Sequence, residues 1–289
     1  MQSSELKVEA SIKESYKFLT SHLRHFIRLS LGPLVGWVLV KLAEEILKTE
    51  YQIEFDSVYI LSFISAAFAI VWYRQFLMGT KYASYSQLVK QGFRGDGFSA
   101  SRLGRFFMRI IVITLALIIP TLILSISTML YLHSQGEVVS EAVIQDIAIK
   151  STFVVMLVFS PALVRLSLLT AGVALGRSSM SLKEVWKRTQ GYTVLLWWLS
   201  IRAFLPLTIY SYLITLFLER AAKQIELHYV WVILVVEIPA GILTFIMLAI
   251  VVAVNGEAFR HLIGVRNGDT PHRPDSGPAR EEDAASEVS

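Results

Sequence analysis

The sequence predicts an all-α fold, a polytopic membrane helix bundle of six transmembrane helices with interfacial amphipathic helices. Of the 289 residues, 54% are hydrophobic and only 17% are charged, whereas soluble domains carry about 25% charged residues. The apolar residues collect in blocks of about 20, the length that a helix needs to cross about 30 Å of hydrocarbon. Basic residues concentrate between alternate blocks, which is typical of cytoplasmic loops.

Five blocks are long enough to span the membrane and contain at most one charged residue each. These are Ser57–Tyr73, Ile110–Leu132, Thr152–Leu175, Tyr192–Leu218 and Tyr229–Val254. A sixth block, from Phe26 to about Leu47, is weaker because its uncharged core has only 12 residues. The long side chain of Lys41 can reach toward the headgroups and can pair with Glu44 or Glu45 along the helix.

Charge placement favours counting the weak block as a span. With six spans and the N-terminus inside, 20 of the 27 Lys and Arg residues fall on the cytoplasmic side. If the weak block did not cross, the basic N-terminal arm would lie outside, against the rule. The N-terminus has no apolar segment followed by a small-residue cleavage site, so we expect no signal peptide. Both termini are therefore predicted to be cytoplasmic.

The chain divides into three predicted parts: an amphipathic interfacial helix (1–25), the six-helix transmembrane domain (26–264) and a disordered cytoplasmic tail (265–289). In the first part, apolar residues recur at steps of four and three, and basic residues lie mostly on the other side. The apolar residues are Ile12, Tyr16, Leu19, Leu23 and Phe26, and the basic residues are Lys13, Lys17, Arg24 and Arg28. Such a helix can bind anionic headgroups through its cations, or it can pack on the bundle as a structural collar.

A second basic helix is predicted between the fourth and fifth spans. The segment Ser181-Leu-Lys-Glu184 is a capping box, which marks the start of a short helix. Its basic residues are further candidate lipid contacts, although helix capping nearly accounts for the motif. These residues are Lys183, Lys187 and Arg188.

An amphipathic basic stretch precedes each odd-numbered span, which suggests an internal repeat. The stretches are SIKESYKFLTSHLRHF, FSASRLGRFFMR and SLKEVWKRTQG, and each even-numbered span ends near a glycine. The repeating unit would be a surface helix followed by a helical hairpin. Coincidence is the alternative, because membrane hairpins that obey the charge rule share these features.

Three ionisable residues lie within predicted spans, where charge is costly and often functional. Arg165 and Arg202 lie about 14–15 Å from the inner boundary, and Glu237 lies about 12 Å further out. We interpret the three as a candidate intramembrane polar site, in which two guanidinium groups face a phosphate or carboxylate. The alternative is a purely structural role. One arginine would then form an ion pair with Glu237, and the other would donate hydrogen bonds to backbone carbonyls that a nearby proline leaves without a helical donor.

Prolines and glycines predict where the bundle is kinked or closely packed. Each proline within a span removes a helical hydrogen bond, and kinks beside charges often line transporter cavities. The prolines concerned are Pro120, Pro161, Pro206 and Pro239. The pairs Gly32/Gly36 and Gly172/Gly176 have the spacing that allows close helix contacts, which we expect inside the bundle.

The sequence contains no recognisable catalytic motif. There is no cysteine, and the HExxH, Walker and GxSxG patterns are missing. Glu257 and His261 are one helical turn apart, but two ligands do not make a metal site. We therefore expect no enzyme activity, no cofactor, no metal and no nucleic-acid partner.

The stretch 165–191, RLSLLTAGVALGRSSMSLKEVWKRTQG, and the ending AFRHLIG resemble a known group. They are similar to small six-helix bacterial inner-membrane proteins, including those like the membrane domain of glycerophosphodiester phosphodiesterases. The resemblance covers the C-terminal half of the chain and implies a bacterial inner-membrane location. It implies no activity, because the membrane domain of that group is not the catalytic part.

The sequence thus favours a non-enzymatic membrane protein that engages lipids or amphipathic anions, or that scaffolds a membrane-protein partner. The alternative is a small transporter or flippase that uses Arg165, Arg202 and Glu237. A transporter should lose substrate flux when these residues change, whereas a scaffold should lose a co-purifying partner when its surface helices change.

Overall fold

The computed structural model describes residues 7–92, 102–135, 140–175, 182–225 and 228–265. Within these ranges the chain forms nine α-helices and one 3₁₀ turn, Thr80–Tyr82. The helices are α1 (Val8–Ser21), α2 (Leu23–Glu50), α3 (Val58–Met78), α4 (Tyr85–Gly92), α5 (Arg102–Ser134), α6 (Glu141–Ala174), α7 (Leu182–Arg188), α8 (Thr193–Gln224) and α9 (Tyr229–Leu262). The predicted tail lies outside the described residues, apart from Val265.

Six of these helices, α2, α3, α5, α6, α8 and α9, are long and apolar enough to cross a membrane. The all-α fold and the six spans are therefore confirmed, and the chain is a multi-pass membrane protein. The weak first span is a continuous helix of 28 residues. Near its far end Lys41 pairs with Glu44 at 2.8 Å, as predicted, and Ser57 donates a hydrogen bond to the same carboxylate at 2.6 Å.

The six spans form three antiparallel hairpins, α2–α3, α5–α6 and α8–α9, arranged in a cycle. The first helix of each hairpin also packs against the second helix of the preceding hairpin: α2 on α9, α5 on α3, and α8 on α6. The second helices, α3, α6 and α9, contact one another at the centre. Apolar side chains of the outer helices, such as Leu39, Val112 and Phe217, are exposed, as expected of residues that face lipid.

The short helices follow the same cycle. Helix α1 packs on α9, α4 on α3, and α7 on α6, so each contacts the central helix of the hairpin before its own. All three therefore lie at one end of the bundle, here called the α1 side. A repeating unit of one surface helix followed by one helical hairpin would give these contacts three times.

Helix α1 packs on the bundle with a face that overlaps the predicted one in part, since Leu19 is buried and Ile12 packs against the core. Its buried residues are Ser11, Ser15 and Leu19, whereas Tyr16 is exposed, as is Leu23 at the start of α2. The small serines allow a close approach, and the Ser15 hydroxyl donates to the carbonyl of Ser11 at 2.8 Å. Of the predicted apolar face, Tyr16 and Leu23 are therefore the exceptions. Helix α1 packs as a collar on the bundle, with its basic side chains left at the surface.

Aromatic side chains fix the C-terminal half of α1 to the bundle. Phe18 meets the rings of Trp72 and Phe76 edge-on, with centroids 5.5 and 4.8 Å away. Trp72 is fully buried, and its indole N–H donates to the carbonyl of Ala249 in α9 at 3.0 Å. Helix α1 thus shares the hydrophobic core of the spans.

Glycines of α9 allow two neighbouring helices to approach closely. A Cβ on Gly256 would lie 2.7 Å from a ring carbon of Phe76 in α3, and a Cβ on Gly241 would lie 2.7 Å from Leu34 in α2. Of the predicted glycine pairs, Gly36 does face Ile64 at 3.3 Å, whereas Gly32 has no atom within 4 Å. Gly176 lies outside the described residues. The close contacts therefore depend mainly on single glycines of α9.

Pro33, which the sequence analysis did not single out, frees a carbonyl that α4 then uses. A proline at position 33 leaves the carbonyl of Leu29 without its helical donor. The Tyr85 hydroxyl donates to this carbonyl at 2.8 Å. Because burial raises the pKa of Tyr85, the hydroxyl keeps its proton, and the bond joins α4 to the first turns of α2.

Candidate functional site

Arg165, on the central helix α6, holds the short helix α7. Its Nε donates to the Thr189 hydroxyl at 2.7 Å, its Nη2 donates to the Trp186 carbonyl, and its guanidinium lies 3.7 Å from the centroid of the Trp186 ring. Arg165 is buried, and Thr189 is fully so. The charge of Arg165 is thus stabilised by a hydroxyl, a backbone carbonyl and an aromatic ring of the segment that follows its own span.

Arg202, on α8, faces the N-terminal helix. Its Nη1 lies 3.3 Å from Oε1 of Glu9 in α1, and its guanidinium lies 5.3 Å from the Trp198 ring. The Glu9 side chain is largely exposed, at 86%, whereas the Arg202 side chain is about half covered, at 45% exposed. The Glu9 side chain makes little other contact, so the pair is open to competition from another anion.

Glu237, on α9, accepts a hydrogen bond from the indole N–H of Trp37 in α2 at 3.1 Å. This contact lies in the half of the bundle away from the α1 side, as the predicted position of Glu237 requires.

The structure therefore does not bring the three predicted intramembrane residues together. Among the described residues, no hydrogen bond or ion pair joins any two of Arg165, Arg202 and Glu237. The Arg165–Glu237 bridge that the structural alternative required is absent from these contacts. The reason is rotational: the three side chains leave their helices toward α7, α1 and α2 respectively.

A cleft between α1 and α8 is lined by several charged side chains. Two adjoining cavities of about 520 and 860 Å³ share Glu9, Trp198 and Arg202. We call their joint lining the α1–α8 cleft. Its charged residues are the cations Lys7, Lys13 and Arg202 and the carboxylate of Glu9. Its apolar residues include Ile12, Leu195, Leu205 and Pro206. The cleft thus has an amphipathic wall with an excess of positive charge.

Most of the predicted lipid-contacting cations are at the surface. Lys13, Lys17, Arg24, Arg28, Lys183 and Lys187 are exposed. Arg188 is used differently, since it pairs with Glu184 at 2.9 Å and donates to the carbonyl of Ile263 at the end of α9 at 2.7 Å. This contact stabilises the C-terminus of α9, where cations are favourable. The predicted cap residue Ser181 lies outside the described residues.

A second cavity, of about 290 Å³, lies among α6, α8 and α9. We call it the intramembrane cavity. Its lining is mostly apolar and includes the polar residues Ser160, Ser167, Trp197, Ser200 and Asn255. These residues carry no signal in the sequence as members of a site, because serine and asparagine in an apolar helix are unremarkable until their helices are packed together.

The described residues contain no group of three or more His, Asp or Glu side chains placed to hold a metal ion. Glu257 and His261 do meet, at 2.9 Å along α9, but they are only two ligands.

A comparison with protein-family models, with curated proteins and with solved structures finds no match to this chain.

Proposed function

We propose that the protein is a non-enzymatic component of the bacterial inner membrane that binds the headgroup of an anionic lipid in the α1–α8 cleft. The observation that carries the proposal is the composition of this cleft, which combines three cations with one carboxylate on an apolar wall. A soluble anion would use only the cations. A lipid also uses the apolar wall, because its acyl chains lie beside α8 while its phosphate meets the guanidinium.

The ion pair between Arg202 and Glu9 supports a site that exchanges partners. Glu9 is largely exposed, so a lipid phosphate that displaces it from Arg202 returns the carboxylate to water at little cost. Trp198 lies beside the same guanidinium, and tryptophan is enriched at the membrane interface. Exposed Lys13 and Lys17 extend the positive surface along α1.

Substitution of Arg202 and substitution of Glu9 are expected to change the affinity for an anionic lipid in opposite directions. Arg202→Gln should weaken binding of phosphatidylglycerol to the purified full chain about fivefold, because a cation near the surface contributes about 1 kcal/mol. Glu9→Gln should strengthen it, because the competing carboxylate is removed. Native mass spectrometry or titration with a fluorescent phosphatidylglycerol measures both, and high salt should reduce the difference.

Arg220→Gln is the matched control, since Arg220 is exposed on the same helix at the opposite end. It should leave phosphatidylglycerol affinity unchanged. Equal losses for Arg202→Gln and Arg220→Gln would show nonspecific charge attraction and would contradict the cleft. Weaker binding in Glu9→Gln would contradict the competition between Glu9 and the lipid.

The proposed orientation places the α1 side in the cytoplasm. Because the chain has no cysteine, single cysteines can be introduced without background. Gln135→Cys should react with a membrane-impermeant maleimide on intact cells, and Lys183→Cys should react only after permeabilisation. Both positions are exposed, so accessibility to the reagent does not limit the comparison. External labelling at position 183 would reverse the orientation and remove the cytoplasmic leaflet as the source of the lipid.

The transporter alternative gains no support from the three intramembrane charges, since each has a separate partner. Membership of the group that resembles the membrane domain of glycerophosphodiester phosphodiesterases stays a proposal. A protein scaffold is compatible with the same lipid site, and the exposed basic helices α1 and α7 are the surfaces that such a partner would contact.

A further inference from the structure

The intramembrane cavity lies on the α6 and α9 side of α8 and shares only Ile201 with the lining of the α1–α8 cleft. Its α6 wall runs from Ser160 to Ser167, which lie about 21 and about 10 Å from the end of α6 at Ala174. The lining residue Phe204 is 44% exposed, so the cavity reaches the lipid-facing surface of α8. An occupant can therefore enter from the bilayer without passing through water.

The lining is mostly apolar, includes polar side chains from all three helices and has no charged residue. Trp197 donates its indole N–H to the Ser160 hydroxyl at 2.7 Å, and Ser167 bonds to the carbonyl of Val164 at 2.7 Å. The Ser200 hydroxyl has no side-chain hydrogen bond to the described part of the chain. Asn255 interacts with Tyr73 at the inner edge. In hydrocarbon, unpaired polar groups cost several kcal/mol, so this wall favours an occupant that can hydrogen-bond.

Two kinds of occupant are disfavoured by this chemistry. An anionic headgroup would lose its hydration here without meeting a cation, because the residues that line the cavity are uncharged. A plain acyl chain would offer Ser200 no hydrogen-bond partner beyond the carbonyls of its own helix. We infer that the intramembrane cavity binds an uncharged lipid whose hydroxyl or carbonyl oxygens hydrogen-bond to Ser200 and Asn255. Diacylglycerols and isoprenoid quinones share this chemistry, and a volume of about 290 Å³ fits a headgroup and the first part of one chain.

The test uses the purified full chain and two uncharged probes that quench tryptophan fluorescence on contact, brominated dioleoylglycerol and decylubiquinone. Saturable quenching by at least one probe is expected, and Trp197→Phe should remove the saturable part. Saturation by the glycerolipid alone assigns a hydroxyl-bearing ligand, and saturation by the quinone alone assigns a carbonyl-bearing one. Phosphatidylglycerol should not compete with either.

Variants of Ser200 connect the binding to the cavity. Ser200→Leu fills the space and should weaken binding at least tenfold. Ser200→Ala keeps the space and removes one hydrogen-bond partner, so a loss of about three- to tenfold is expected. Ser127→Leu is the matched control, because Ser127 is exposed on α5 and does not line the cavity. Since Ser200→Ala is smaller than the native residue, it tests the site even if Ser200→Leu fails to fold.

Several results would overturn the inference. Quenching that rises without saturation, or that is the same in Ser200→Ala, Ser200→Leu and the native chain, would mean simple partition into the detergent or lipid. Equal competition by phosphatidylglycerol would remove the preference for an uncharged head. Arg202→Gln should leave the binding of the uncharged probes unchanged. Failure of the cavity proposal can therefore be distinguished from failure of the proposed anionic-lipid site in the α1–α8 cleft.

Discussion

Replacement of Arg165 by leucine is expected to release α7 from α6 and to lower the free energy of unfolding by about 2–4 kcal/mol. The change removes two charge-assisted hydrogen bonds and the stacking on Trp186, and hydrogen bonds to charged groups contribute about 1.5–3 kcal/mol each in soluble proteins, less in membranes. Arg165→Lys should be intermediate, because an ammonium cannot reproduce the planar fork. Thermal unfolding in detergent measures the loss of stability.

A cysteine at Val185 reports on α7 itself, since the native side chain there is 1% exposed. It should resist a thiol reagent in the native background and react readily when Arg165 is leucine. Glu237→Leu should leave it protected, because Glu237 contacts Trp37 in α2.

The combination of Arg165→Leu with Glu237→Leu distinguishes separate partners from a shared ion pair. The two losses should add to within about 0.5 kcal/mol, as expected for independent sites. Recovery of stability in the double variant would reveal a direct bridge and would contradict the contacts described above.

Gly256→Ala is expected to destabilise the protein by about 1–3 kcal/mol, the usual cost of overpacking a core. The added Cβ would lie 2.7 and 3.1 Å from two ring carbons of Phe76. That ring has little freedom to move, because it packs edge-on against Phe18 of α1 at 4.8 Å. The substitution should therefore separate α3 from α9 and loosen α1, which thermal unfolding and proteolysis near the N-terminus would detect.

Gly32→Ala is the matched control for this prediction. No atom lies within 4 Å of a Cβ at position 32, so this change should be neutral or slightly stabilising, within about 0.5–1 kcal/mol, the helix propensity of alanine over glycine. If both alanine variants behave alike, the close approach of α3 and α9 is not a determinant of stability. Phe76→Ala should cost less in the Gly256→Ala background than alone, since it removes the clash.

The number and order of the spans were predictable from the sequence because they depend on local properties. Block length and hydropathy decide whether a helix can cross the bilayer, and charge placement decided that the weak segment now seen as α2 counts as a span. The order of surface helix and hairpin is also local, which explains why the three stretches SIKESYKFLTSHLRHF, FSASRLGRFFMR and SLKEVWKRTQG indicated it. The positions of Arg165, Arg202 and Glu237 along their helices likewise follow from counting residues.

The partners of those residues were decided only by the tertiary structure. Depth along a helix says nothing about the direction in which a side chain leaves it, and Arg165 and Arg202 at similar depth point to different short helices, α7 and α1. The same reason explains why Gly256, a single glycine, makes a closer contact than the spaced pair that includes Gly32. The intramembrane cavity exists only where α6, α8 and α9 meet, since its polar lining comes from three helices distant in sequence. Sequence thus determined what each helix can do, and the rotation of each helix against its neighbours determined which side chains meet.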